Sequence, residues 1–342
     1  EVIYENLDIP TAKIIKAKYL NDLDKTFVVY EYIAGKELID LTRELSIEEI
    51  ENIDFELAKN LYESTKKEIK NSKDEITPID YLDKYKLNDE YKYYENIGKK
   101  AIKDGELAAV TMAGGQGTRL GHNGPKGTYD IGLDSHKSLF ELLCDSLKEE
   151  GKKYGVTIPW FIMTSRENNN DTIEFFAKNR NFGYEKDKNL FFFIQEELPM
   201  VDMEGKILIG EDGLVKEAAN GHGGIYEALV KNGMTKKMRE LGVEWVFIGG
   251  VDNCLVKMVD PVLMGIAIDK KVTAAGKSVV KANPHERVGV FCKMNGHPKV
   301  IEYSELPEKM AEEIADGKFR EMREIEMKKI KIKVIKTRKI KT

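Results

Sequence analysis

Leu107-Ala108-Ala109-Val110-Thr111-Met112 is a short, nearly all-apolar run that breaks straight into Ala113-Gly114-Gly115-Gln116-Gly117. Such a run suits a strand buried on both faces. Glycines directly after it let the backbone pass close to a ligand and take positive φ, so successive N–H groups can converge on phosphate oxygens. Arg119 and Lys126 follow in the same stretch and add a planar cationic fork and a point charge. Together these residues point to a phosphate site at the end of a buried strand rather than a plain glycine-rich turn. It is not a Walker loop, because no Gly-Lys-Ser/Thr follows the glycines. The G-x-G-x-x-G spacing of dinucleotide folds is also absent.

Further strand patterns are Trp160-Phe161-Ile162-Met163, Leu190-Phe191-Phe192-Phe193-Ile194 and Trp245-Val246-Phe247-Ile248. Helical spacing lies between them, at 137–154, 168–180 and 224–241. This alternation predicts an α/β fold of βαβ units, with a mainly parallel sheet and helices on both faces. Residues 286–305 add a β-hairpin, because Asn295-Gly296 sits between two strand patterns. The expected organisation is an N-terminal segment over 1–100, a catalytic domain over 101–310 and a charged, unordered tail over 311–342. Within the first segment, 46–70 has helical spacing, and Phe27-Val28-Val29-Tyr30 is its clearest strand.

At 342 residues and net charge −5, the chain has no global basic field to draw it to nucleic acid. An anionic substrate must be caught locally. Cys144, Cys254 and Cys292 are scattered and odd in number, which fits a reducing cytoplasm better than a disulfide framework. No apolar run is long enough to predict a membrane span.

Ala113-Gly114-Gly115-Gln116-Gly117-Thr118-Arg119-Leu120-Gly121 with Pro125-Lys126-Gly127 resembles the signature of eukaryotic-type UDP-sugar pyrophosphorylases, a family that includes the UDP-N-acetylglucosamine and UDP-glucose enzymes. Met163-Thr164-Ser165, Gln195 with Pro199, and Asn220-Gly221-His222-Gly223-Gly224-Ile225-Tyr226 agree in order. So do Val251-Asp252-Asn253-Cys254-Leu255, Glu286-Arg287-Val288-Gly289 and Glu302-Tyr303-Ser304-Glu305. The likeness covers roughly residues 45–310, and a chain of motifs is more specific than any one of them.

The resemblance implies a Rossmann-like, nucleotide-binding α/β domain with a mixed sheet, and transfer of uridylyl from UTP to a sugar 1-phosphate, most simply N-acetylglucosamine 1-phosphate, with Mg²⁺ as cofactor. Gly114, Gly115, Gly117 and Thr118 would cradle the UTP phosphates. Arg119 would bind the leaving pyrophosphate, and Lys126 would offset charge during transfer. Gln195 matches the residue that reads the uracil edge, and Gly221 would let the uridine lie against backbone. Gly223, Asn253 and Glu302 would face the sugar. Asp252 read alone is as well explained by a turn as by a metal, and the resemblance favours the metal. Glu302 is placed in the second hairpin strand, where a solvent-facing role is an equal alternative. His222 reads as a loop residue.

Two stretches depart from the family. After Glu305 its Asn-containing strand and a later Lys have no counterpart, so a shortened catalytic domain is expected. Residues 1–42 faintly resemble the hinge strand of small-molecule kinases, without that fold's phosphate or catalytic loop. The alternatives are therefore a UDP-glucose pyrophosphorylase or a remnant that binds nucleotide without turnover. Oligomeric state is not legible.

Overall fold

A computed structural model of the chain describes residues 13–20, 25–31, 62–63, 75–77, 79, 81–203, 205–210, 214–278, 286, 288–303 and 333–336. The helix expected over 46–70 lies outside them apart from Tyr62 and Glu63, which are helical. The kinase-like hinge reading lies outside them beyond Glu31, as do Arg287, Ser304 and Glu305. The chain divides into two compact units, Glu1–Ser72 with Glu197–Asn220, and Lys73–Glu196 with Gly221–Thr342. The division expected at residue 100 is therefore not where the chain parts.

In chain order the elements are β1 (Lys13–Leu20), β2 (Lys25–Glu31), β3 (Ile76–Thr77), α1 (Glu90–Lys103), β4 (Leu107–Met112), α2 (Leu139–Tyr154) and β5 (Trp160–Thr164). Then follow α3 (Asn169–Lys178), β6 (Leu190–Ile194), β7 (Glu197–Pro199), β8 (Glu217–Ala219), α4 (Ile225–Lys231), α5 (Met234–Glu240) and β9 (Trp245–Gly250). The chain ends with α6 (Pro261–Asp269), β10 (Ala274–Ala275), β11 (Val290–Met294), β12 (His297–Ile301) and β13 (Lys333–Lys336). The smaller unit holds two antiparallel pairs, β1 with β2 and β7 with β8.

The larger unit is built on one sheet in the order β10-β13-β9-β4-β5-β6. β9, β4, β5 and β6 run parallel, while β13 and β10 are antiparallel additions at one edge. The alternation of strands and helices predicts the parallel part of this sheet, and the resemblance its mixed character. β13 corrects the reading of 311–342 as unordered. Val334 and Ile335 are β-branched and suit a strand, and the side of β9 away from β4 offers a ladder to pair with. The rest of the tail lies outside the described residues.

Alternate strand residues face opposite helical layers. Leu107, Ala109, Trp160, Ile162, Trp245 and Phe247 pack with α2 and with Phe176 of α3, Ile102 of α1 and Met264 of α6. Ala108, Val110, Phe161, Met163, Val246 and Ile248 pack with Ile225 and Leu229 of α4 and Met238 of α5. The period-2 geometry of each strand thus divides one apolar run between two cores. The helix expected over 224–241 is split, because Gly233 takes a left-handed turn (φ 71°) between α4 and α5. β11 and β12 form the expected hairpin through Asn295 (φ 52°) and Gly296 (φ 80°), and β3 pairs with β11.

Sequence signals set the helix ends. Ser138 accepts from the Glu141 amide at 3.2 Å, a Ser-x-x-Glu start for α2, and left-handed Gly155 ends that helix. Asp260 caps α6 through the Val262 and Leu263 amides, with Pro261 at its first position. α1 and α6 approach closely enough to need glycine on both sides. A Cβ on Gly98 would lie 1.8 Å from the Pro261 carbonyl oxygen, and one on Gly265 would lie 1.8 Å from that of Tyr94. Both atoms belong to backbone and cannot swing aside. Gly98→Val is therefore expected to cost about 1–3 kcal/mol or more of stability, read as a lower urea midpoint. An unchanged midpoint would show that the two helices separate freely.

Candidate functional site

Chain order turns back at β4. β5 and β6 build outward on one side, and β9 returns to the other. The carboxyl ends of β4 and β9 thus form a topological switch point, where open α/β sheets bind ligands. Hydrogen bonds extend the strands beyond their ends. The Val251 amide donates to the Met112 carbonyl at 3.0 Å, the Ala113 amide to Met163 at 2.7 Å, and the Gln195 amide to Thr164 at 2.8 Å. Residues following four strands are thereby brought to one edge.

The glycine loop is tied into a narrow ribbon. The Gly117 amide donates to the Gly124 carbonyl at 2.9 Å, and the Lys126 amide donates to the Gly115 carbonyl at 3.0 Å. A short 3-10 turn, Thr118–Leu120, closes on left-handed Gly121 (φ 69°). Among the described residues, the amides of Gly114, Gly115, Gln116 and Thr118 donate to no other group. A run of unengaged N–H groups at the end of a buried strand is a site for anionic oxygens.

Lys126 opens a second 3-10 turn, Lys126–Thr128, held by the start of α2. A Cβ on Gly127 would lie 2.1 Å from the Phe140 ring, so the turn sits flat on that side chain. Lys126 reaches back across Gly115, and its Nζ lies 4.0 Å from Oδ2 of Asp252. The lysine side chain is 24% exposed and the aspartate 60%, so the pair stands at the mouth of the site rather than in the core. Across the loop, Gln195 is only 6% exposed. Its Oε1 would lie 2.3 Å from a Cβ on Gly114, so glycine at 114 makes room for the amide. That side-chain amide has no hydrogen-bond partner among the described residues.

Gly114 thus neighbours Gln195, and Gly115 neighbours Lys126, which in turn meets Asp252. Gly117 differs from its expected role. Its amide is already engaged, and the space beside its Cα is filled by His122, whose ring would lie 2.8 Å from a Cβ at that position. It shapes the loop instead of donating to a ligand. Thr118 and Arg119 are exposed on the 3-10 turn. Gly221 (φ 77°) and Gly223 are exposed in the turn before α4, with open space where a Cβ would be. Asn253 follows Asp252 in a turn and donates from its amide to the Gly250 carbonyl at 3.4 Å. Glu302 lies one residue past the end of β12 rather than within that strand, with Oε2 3.4 Å from a Cβ position on Gly289.

The family model described as UTP–glucose-1-phosphate uridylyltransferase matches residues 54–337. The chain belongs to this family. It is 41% identical over 223 residues to a UDP-N-acetylglucosamine pyrophosphorylase of Saccharomyces cerevisiae, covering 64% of this chain and 46% of the relative. It is also 41% identical over 228 residues to UDP-N-acetylglucosamine diphosphorylase 2 of Arabidopsis thaliana, covering 63% and 45%. The chain therefore spans about half the length of these curated relatives. Among solved structures it resembles the Trypanosoma brucei UDP-N-acetylglucosamine pyrophosphorylase, with TM-score 0.69 and 30% identity over 84% of this chain and 59% of that one. A Leishmania major UDP-glucose pyrophosphorylase shares the fold at TM-score 0.61 and 15% identity.

One site residue escapes sequence reasoning. Asn168, wholly buried, donates from Nδ2 to the carbonyls of Ala113 at 2.9 Å and Gly115 at 3.3 Å. In sequence it is one of three consecutive asparagines at a helix start, and nothing there marks it out. The three cysteines are all free, and burial pushes the Cys144 thiol up to about 12, so it behaves as core. Among the described residues no helix is long and apolar enough to cross a membrane.

The loop glycines of this family member divide by what surrounds them. Gly127→Ala is expected to lower stability by about 1–3 kcal/mol, because the methyl meets the Phe140 ring. Gly115→Ala is expected to leave the melting temperature unchanged, since the nearest atoms are the flexible end of Lys126 at 3.9 Å. Equal melting temperatures for the two variants would contradict this division.

Proposed function

We propose that this site transfers uridylyl from UTP to a hexosamine 1-phosphate, N-acetylglucosamine 1-phosphate first, releasing pyrophosphate. The observation that carries the reading is the Lys126–Asp252 pair, 4.0 Å apart, beside the unengaged amides of the glycine loop. The sugar assignment is supported by the relatives named for UDP-N-acetylglucosamine at 41% identity.

In this reading an oxygen of the sugar 1-phosphate attacks the α-phosphorus of UTP. The new P–O bond forms as the bond from the α-phosphorus to the bridging oxygen breaks, and pyrophosphate leaves. The nucleophile is already an anion at neutral pH, so no general base is required. Rate comes from holding two anions in line and offsetting the charge that crowds between them. The amides of Gly114, Gly115, Gln116 and Thr118 hold the triphosphate. Lys126 neutralises charge at the α-phosphate, and Arg119 is free to follow the pyrophosphate. Gln195 presents a donor and an acceptor to the N3–H and carbonyl edge of uracil. Gly221 leaves room for the nucleoside, and Gly223, Asn253 and Glu302 are the candidates for sugar contacts.

Mg²⁺ fits the donor set. No cluster of three or more acidic, His or Cys side chains is found among the described residues, so no all-protein cage is built. A single exposed carboxylate, Asp252, suits an ion that takes one or two carboxylates and completes its octahedron with phosphate and water. Bound there, Mg²⁺ would neutralise phosphate charge and orient the α-phosphate. Asp252 would hold it, and Lys126, 4.0 Å from that carboxylate, would add a second positive charge.

The direct test is release of pyrophosphate from UTP by the full chain with N-acetylglucosamine 1-phosphate and with glucose 1-phosphate. Release is expected with the first and much less with the second. Binding of UTP without release from either would support a binding-only protein. Lys126→Ala is expected to lower kcat about a hundredfold or more, with a much smaller change in UTP affinity. A kcat within about threefold of the parent would remove this role. Asp252→Asn keeps shape but removes charge, so the Mg²⁺ titration of activity should move to higher concentration with circular dichroism unchanged. An unmoved titration would return Asp252 to a turn residue.

A further inference from the structure

We infer that Asn168 is a positioning residue that aims the amides of the glycine loop into the triphosphate site; this rests on the uridylyltransferase reading above. Asn168 stands at the N-cap position of α3, where an asparagine ordinarily accepts from an amide of its own helix. Here the side chain makes no such bond. It turns back toward the sheet edge and is completely buried. Its Oδ1 accepts from the Ser165 amide at 2.9 Å. Its Nδ2 donates to the Ala113 carbonyl at 2.9 Å and the Gly115 carbonyl at 3.3 Å. The orientation of the amide is unambiguous, because one end faces an N–H and the other faces two carbonyls. In return, the Asn168 amide donates to Ser165 Oγ at 3.2 Å.

The consequence for the loop is geometric. Its peptide bonds are trans, so each carbonyl and the N–H of the next residue point in opposite directions. Holding the Ala113 carbonyl against Asn168 turns the Gly114 N–H away from it. Holding the Gly115 carbonyl there turns the Gln116 N–H away in the same manner. Those two amides are among the ones that donate to nothing else among the described residues. Glycine backbone has little preference of its own between the two peptide orientations. Among the described residues nothing else holds the Ala113 carbonyl, and the Gly115 carbonyl is otherwise held only by the Lys126 amide. One buried side chain therefore sets which way the Gly114 N–H points and, together with the Lys126 amide, that of Gln116, without reaching the substrate.

Asn168→Asp keeps shape and the Ser165 bond, yet places carboxylate oxygens against the two carbonyls. Titration calorimetry on the full chain with UTP and with uridine separates the possibilities, since only UTP engages the loop. UTP affinity is expected to fall about tenfold or more while uridine affinity stays within about twofold. Asn168→Ala should show the same pattern, which guards against an effect peculiar to the introduced charge. Equal loss of UTP and uridine binding would mean that Asn168 merely supports the fold, and would overturn the inference. An undiminished UTP affinity in both variants would overturn it as well. If the parent chain binds UTP no more tightly than uridine, the uridylyltransferase reading fails first, and the inference falls with it.

Discussion

The parallel pairing of β4 with β9 runs from Leu107 opposite Trp245 to Met112 opposite Gly250, and continues as the Val251 amide meets the Met112 carbonyl. Two segments far apart in sequence are thereby fixed side by side where both strands end. One carries the glycine loop and the other carries Asp252. The strands are buried along their lengths and wedged between two apolar layers, so register cannot slip without moving alternate side chains into the wrong core. The 4.0 Å approach of Lys126 to Asp252 follows from that register. A one-residue shift would move the carboxylate by about 3.3 Å along the strand.

The loop is held by backbone and by Asn168, not by its charged side chains. Gly117 and Gly127 are filled from outside by His122 and Phe140, and they fix the shape of the ribbon. Gly114 and Gly115 leave room on the other side, for the Gln195 amide and the Lys126 stem. Lys126 and Asp252 therefore remain partly solvated and uncommitted. Their attraction to each other is weak in that setting. It strengthens toward a ligand that excludes water from the mouth, which is where charge stabilisation is most effective.

Much of this was legible because it is local. The buried run into glycines, the alternation of strand and helix, and Asn295-Gly296 each act within a few residues. Asp252 and Gln195 were singled out by their match to the family's motifs, since Asp252 read alone fits a turn as well as a metal. Asn168 was not, because its partners Ala113 and Gly115 are more than 50 residues away in sequence. The split between shaping and ligand-facing glycines was equally hidden, since it depends on Phe140, His122 and Gln195 arriving from elsewhere. The break between α4 and α5 was missed because apolar spacing continues through Asn232-Gly233 while the backbone does not. β13 was missed because Lys-rich composition outweighed two β-branched residues, and only the free side of β9 gives that strand a place.

In the proposed uridine site, the Gln195 amide would distinguish pyrimidines by their hydrogen-bond edge. Uracil presents N3–H and carbonyls, which suit an amide with its oxygen toward N3, whereas cytosine reverses the donor pattern and pairs only if the amide turns over. A polar group left unpaired there costs about 1–3 kcal/mol, or roughly five- to a hundredfold in affinity. The most direct measurement is therefore calorimetric binding of UTP and CTP to the full chain, with Mg²⁺ present. A uridine site predicts tighter UTP binding by about tenfold or more, with the difference reduced in Gln195→Ala while triphosphate binding persists. Equal affinity for UTP and CTP would contradict the uridine assignment and, with it, a UDP-sugar product.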